Sequence, residues 1–152
     1  MDQADQEAWM QRVYEQVESA IKEGNPPFAA IITDHQNTIL AKTHNQTHTK
    51  KLVIAHAEIE AIHLACAFLG QKKLHGCRIY VNAESCAMCA GAIIKAGISE
   101  VYYGASFEAD SNPNIYLREI NEKANPPLKI FAGIMQAKFM EQIKRGREKL
   151  KI

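Results

Sequence analysis

Neither sign of charge is in excess in this sequence. Lys and Arg number 18 against 17 Asp and Glu, a formal net charge of +1, so no strong field draws the whole molecule toward nucleic acid or a membrane surface. No apolar run reaches the roughly 20 residues of a membrane span. The opening stretch, Met1 to Trp9, is acidic and polar, unlike the basic-then-apolar pattern of a secretory signal. Cysteine is also scarce: Cys66, Cys77, Cys86 and Cys89 are the four. With no export signal in view, thiols or metal ligands in the cytoplasm are expected rather than a disulfide framework. Repeats, low-complexity stretches and linkers are lacking too, and 152 residues suit one domain, 1–152, with a sizeable core.

The chain does have a regular alternation of elements. Trp9, Val13, Val17 and Ile21 recur at helical spacing over residues 5–22, which predicts an amphipathic helix stopped at Gly24-Asn25-Pro26-Pro27. Phe28 to Thr33 and Thr38 to Lys42 read as two strands around a turn at 34–37. Residues 43–54 read as a loop. Residues 55–69 form the clearest helix, with Gly70 as its C-cap. Strands are predicted at 77–83, 99–104 and 128–132, with helices at 86–96, 115–123 and 136–149 between and after them. The order α-β-β-α-β-α-β-α-β-α predicts a three-layer α-β-α sandwich around a five-stranded mixed sheet.

Two short motifs carry chemistry. His56-Ala57-Glu58 opens one helix, and Cys86-Ala87-Met88-Cys89 opens the next, directly after a strand. Each alone is weak, since a lone His is commonly structural and a Cys-x-x-Cys also describes a redox pair. Together they are stronger. Cys86 and Cys89, three apart, share a helix face at the end where unpaired N–H groups favour thiolate. His56 and Glu58 would point about 200° apart inside a helix, but from a first turn both reach beyond its end. Three ligands, His56, Cys86 and Cys89, with a fourth position open are the catalytic rather than the structural zinc pattern. One zinc per chain is expected. Zinc activates water, and Glu58 is the carboxylate placed to take its proton, pass it to a ring nitrogen and later to departing ammonia.

At these residues the chain resembles the cytidine deaminase-like zinc deaminases, whose signature is His-x-Glu followed by Pro-Cys-x-x-Cys. The resemblance runs from about Phe28 to Gly104 and includes Pro27 to Ile32, Asn45 eleven residues before His56, and Gly91-Ala92-Ile93-Ile94. It implies that Asn45 hydrogen-bonds the base, that the Ala57 backbone N–H donates to the ring, that the leaving amino group is received near Ala83-Glu84, and that Phe28 walls the pocket. It also implies a homodimer. Two departures stand out. Ser85 occupies the Pro position, where it is expected to cap the adjoining helix through its hydroxyl. Leu52-Val53-Ile54 replaces the polar turn that relatives often carry before the His.

The segments beyond Gly104 bear on the substrate. Residues 110–120 resemble the guanine-deaminase loop and helix, with Asp110 or Asn112 at the place of the carboxylate that reads guanine; either could equally be a turn residue. Lys138, Lys144, Arg145, Arg147, Lys149 and Lys151 would suit transfer RNA, but also a solvated helix end that complements its dipole. Loop 105–114 lacks the Lys-Thr-Gly-Ala pattern of the RNA-editing enzymes. The sequence therefore favours guanine or a similar free nucleobase or nucleoside, then transfer-RNA adenosine, then cytosine or cytidine. The rival enzyme class is a thiol–disulfide oxidoreductase using Cys86 and Cys89, which would leave His56, Glu58 and Asn45 without a role. A metal-stabilised binding module is the non-enzymatic rival.

Overall fold

The computed structural model describes residues 1–151. Helix α1 (Gln3–Lys22) starts at Asp2, whose side chain accepts the N–H of Asp5. Two antiparallel strands come after it, β1 (Ala29–Thr33) and β2 (Ile39–His44). Asp34 Oδ1 organises their turn by accepting the N–H groups of Gln36 and Thr38, both at 2.9 Å.

Helix α2 (Thr47–Lys50) and helix α3 (Ala57–Leu69) come next, then β3 (Arg78–Ala83), α4 (Ala87–Ala96), β4 (Glu100–Ala105), α5 (Leu117–Asn121), β5 (Lys129–Phe131) and α6 (Gln136–Leu150). The strands lie in the order β2-β1-β3-β4-β5. β1 runs antiparallel to both neighbours, whereas β3, β4 and β5 are parallel. This is the expected mixed sheet with helices on both sides.

Both faces of the central strands are buried, so alternate residues feed two cores. Ala30, Ile32, Ile79, Val81, Val101 and Tyr103 pack with α3, α4 and α5. Ala29, Ile31, Tyr80 and Tyr102 pack with Met10, Val13 and Val17 of α1 and Phe139 and Ile143 of α6. On this second face Trp9, Tyr80, Tyr102 and Phe131 form a column of stacked rings, with successive centroids 5.3, 4.8 and 4.6 Å apart. No helix among the described residues is long and apolar enough to cross a membrane.

Three expectations need correction. The stretch expected to be a loop at 43–54 contains the turn-length α2, held by Asn25 Oδ1, which accepts the N–H groups of His48 and Thr49 at 3.1 Å each. Helix α5 is shorter than 115–123, because Tyr116 is extended and bridges Cys86. Ser85 does not cap α4: its hydroxyl is drawn to the Glu58 carboxylate, and Cys86 is the N-cap.

Candidate active site

The two motif helices meet end to end. His56 and Cys86 are the N-cap residues of α3 and α4, both extended and both without a side-chain cap bond. Their side chains turn toward each other instead of back over their helices. His56 Nδ1 lies 3.7 Å from Cys86 Sγ and 3.4 Å from Cys89 Sγ. The three donor atoms fall within 4.8 Å of one another, the one such group among the described residues. A tetrahedral zinc with Zn–N of about 2.1 Å and Zn–S of about 2.3 Å needs N···S separations of about 3.5–3.6 Å, and the observed pair of distances brackets that. An imidazole with two thiolates is also the borderline-soft donor set that suits zinc.

The electrostatics arise from crowding. The bond from Cys89 and the nearby His56 hold the Cys86 thiol down at about 4, against the opposing effect of burial. Cys89, the partner that keeps the proton, is pushed well up by that same bond and by burial. The Cys86 hydrogen bond, together with the charges of Glu58, Cys86 and Asp110, raises His56 despite its burial. Burial and the Cys86 charge raise the Glu58 carboxyl, while the Ser85 hydrogen bond works against the rise.

Glu58 occupies the first turn of α3 and is buried. Ser85 Oγ, fully buried, donates to Glu58 Oε2 at 2.8 Å. The vacant cap of α4 is supplied by Ser111, whose Oγ accepts the Ala87 N–H at 3.1 Å. Ser111 is in turn held by the carbonyls of Pro113 and Ile115, both at 2.8 Å.

A narrow cavity of about 40 Å³ opens beside these three converging side chains, with Phe28, Asn45, His56, Glu58, Ala83, Cys86 and Asp110 in its walls. Asn45 Oδ1 accepts both the N–H and the hydroxyl of Thr47 at 2.8 Å, so Nδ2, unpartnered among the described residues, is its group left to meet a ligand. Ala57 is fully buried behind this wall; its carbonyl accepts the Thr43 hydroxyl at 2.7 Å, and its N–H is one of the unpaired donors of a helix start. Asn112 is not in the inner cavity. It lines an adjoining outer groove of about 280 Å³ with Val53, Met88 and Ser111, which shares His56, Cys86 and Asp110 with the cavity.

Asn82 had no signal in the sequence, and the basic residues of the C-terminus have structural partners that the sequence did not indicate. Asn82, itself buried, lines the cavity; its Oδ1 accepts the Ala29 N–H at 3.0 Å and its Nδ2 donates to the Pro27 carbonyl at 2.9 Å, so it ties the Phe28 wall to β3. Arg147 of α6 lies 5.7 Å from the Phe28 ring centre and pairs with Glu108 at 2.8 Å. Arg145 pairs with Glu18 of α1 and Lys138 donates to Gln11. Much of the C-terminal charge is thus spent on fastening α6 to its neighbours.

Residues 4–144 match the model of the MafB19-like deaminase family. The chain belongs to this family. The deaminase is 38% identical over 116 residues to a transfer-RNA-specific adenosine deaminase of Rickettsia bellii, covering 76% of this chain and 80% of the relative. It is 30% identical over 132 residues to the Bacillus subtilis enzyme of the same name, covering 86% and 81%. A solved structure from a study of adenosine-to-inosine editing at the transfer-RNA wobble position superposes with a TM-score of 0.79 at 30% identity, over 88% of this deaminase and 96% of that chain. A guanine deaminase from Nitrosomonas europaea superposes with a TM-score of 0.81 at 23% identity over 93% and 84%, a likeness of fold.

Proposed function

We propose that this deaminase is a zinc-dependent hydrolase that replaces the amino group of a nucleobase by an oxo group and releases ammonia. The observation that carries the reading is the placement of buried Glu58 beside the His56, Cys86 and Cys89 group, in a cavity that also receives Asn45. His56, Cys86 and Cys89 hold the metal. Zinc there supplies Lewis-acid activation of water.

The chain's own groups do the rest. Glu58 takes a proton from the attacking water and gives it to the ring nitrogen beside the amino-bearing carbon. It then moves the second water proton to the amino group, which leaves as ammonia. A carboxyl raised by burial is suited to both directions of transfer. Asn45 Nδ2 and the Ala57 N–H orient the base, Phe28 walls it, and the segment around Ala83 receives the leaving group. A thiol–disulfide role for Cys86 and Cys89 would leave this convergence of Glu58, Asn45 and His56 unused.

The substrate ranking changes from that favoured by the sequence. Adenosine in transfer RNA now comes first, on two supports: the names and extent of the 38% and 30% identical relatives, and the outer groove beside the cavity. That groove offers room beyond a single ring, which a free base does not need. Guanine is the second reading, favoured by Asp110 standing in the cavity wall, where its carboxylate could accept ring and amino N–H groups. Ammonia release and product identity, measured with transfer RNA, adenosine, guanine and cytosine, decide between them. Inosine in transfer RNA supports the first reading; xanthine from guanine, lost on Asp110→Ala, replaces it with the second; no product from any of them overturns both.

We also propose a homodimer, the state the resemblance implies. Val53 and Phe68 are 80% and 67% exposed, apolar surface that a second copy could cover. A monomer by light scattering would remove this part of the reading.

A further inference from the structure

We infer that Ser85 is a positioning residue for Glu58, a role that the family signature's proline at this place cannot fill. Three observations carry it. First, Ser85 Oγ donates to Glu58 Oε2 at 2.8 Å, and Ser85 is fully buried, so bulk water does not compete for its hydroxyl. Second, the hydroxyl is not needed where the sequence suggested. Helix α4 takes its cap from Ser111 Oγ, through the Ala87 N–H, and the Ser85 carbonyl separately accepts the Leu117 N–H at 3.1 Å. The backbone of Ser85 therefore does the structural task at this position, and its side chain is left to Glu58 alone. Third, the other side chain set against the Glu58 carboxylate is the Cys89 thiol, one of the three converging donors and so committed to a metal when one is bound, which leaves Ser85 as the partner free to hold it.

The consequence is geometric. A glutamate carboxylate rotates easily about its last torsion. With Oε2 tied to Ser85, the plane of the carboxylate is set and Oε1 is the oxygen left for the reacting atoms. Catalysis by a positioned proton carrier depends on that orientation far more than on the strength of the bond itself. A proline at 85 has no donor, so relatives that carry it must orient their glutamate by other means.

The inference rests on the deaminase reading, and its test separates the two. Wild-type protein that deaminates none of the offered substrates sinks the reading itself. With an active wild type, Ser85→Ala is expected to lower kcat about tenfold while KM stays within about twofold, with one zinc per chain retained by elemental analysis. Ser85→Thr, which keeps the hydroxyl, is expected to restore most of the rate. Ser85→Pro removes the hydroxyl but keeps the carbonyl that Leu117 uses; should the alanine variant not fold, it takes the alanine variant's place with the same expectation. A readout independent of activity is thermal unfolding of the protein as isolated. The losses in Tm from Ser85→Ala and Glu58→Ala should not add, the double variant losing less than their sum, because each single change strands a buried polar partner. Wild-type kcat in Ser85→Ala, or strictly additive Tm losses, would overturn the assignment.

Discussion

Ser111 caps a helix that begins 24 positions before it in the chain, its Oγ accepting the Ala87 N–H at 3.1 Å. The bond fastens the loop that carries Asp110 to the helix that carries Cys86 and Cys89. Tyr116 reinforces it from the same segment, bridging Cys86 and donating its hydroxyl to the Ala109 carbonyl at 2.8 Å. Ser111→Ala should therefore act on both stability and substrate. Loss of a cap costs about 0.5–2 kcal/mol, seen as a lower Tm. KM should rise more than kcat falls, because Asp110 loses its support while Glu58 keeps its own. Unchanged KM would show that the loop is held without this bond.

Glu58→Ala tests the proton carrier. Glu58 is not among the three converging donor atoms, so zinc content should stay at one per chain. Loss of a positioned general base should lower kcat by about 10²–10⁴-fold. Retained activity would rule out the mechanism, and loss of the metal with the activity would make Glu58 a ligand instead.

Zinc uptake should release protons. Cys86 is held at about 4 and is already a thiolate near neutrality, whereas Cys89 is pushed well above its ordinary value and must give up a proton. His56 is raised as well, so a metal-free site near neutrality carries part of a proton there. Binding at pH 7 should release about one to two protons, since ligands must be deprotonated to bind. The count should fall toward one as pH rises above the raised His56 value, and affinity should weaken as pH falls through it. Titration calorimetry in buffers of different ionisation enthalpy measures the count.

Gly104→Ala should destabilise the fold without involving the chemistry. A Cβ at this β4 position would stand 2.5 Å from Phe139 Cδ2, 2.9 Å from the Asn82 carbonyl and 3.0 Å from the Ile134 carbonyl. Two of these are backbone atoms that cannot rotate aside. Overpacking of this kind costs about 1–3 kcal/mol, readable in urea unfolding. A stability equal to wild type would mean that α6 shifts freely on the sheet.

The order and type of most elements were legible because both sides of the sheet are buried and the apolar pattern changes period at each boundary. Ile79 and Val81 facing one core and Tyr80 the other is such a pattern. The convergence of His56, Cys86 and Cys89 was legible because these residue types are chemically distinctive and sit at helix starts. Less readable were contacts set by tertiary position. A serine before a helix predicts a cap, yet Ser85 is drawn to a buried carboxylate and Ser111, remote in sequence, takes its place. Asn82 had no motif to mark it, and Arg147 stood out only as one of a basic run, since their roles depend on which chain segments the fold brings beside Phe28. The short α2 was missed because its stability comes from Asn25, 22 positions before its first residue, rather than from its own four residues.

The ring column beneath the sheet has an optical consequence. Trp9 is the sole tryptophan of the sequence, and it stacks on Tyr80 at 5.3 Å with 18° between the ring planes. Its emission should therefore report the docking of α1 from a single site on the sheet face opposite α3 and α4. Paired with a zinc-release dye, that fluorescence would let the two cores be watched separately during unfolding, one by colour and the other by its metal.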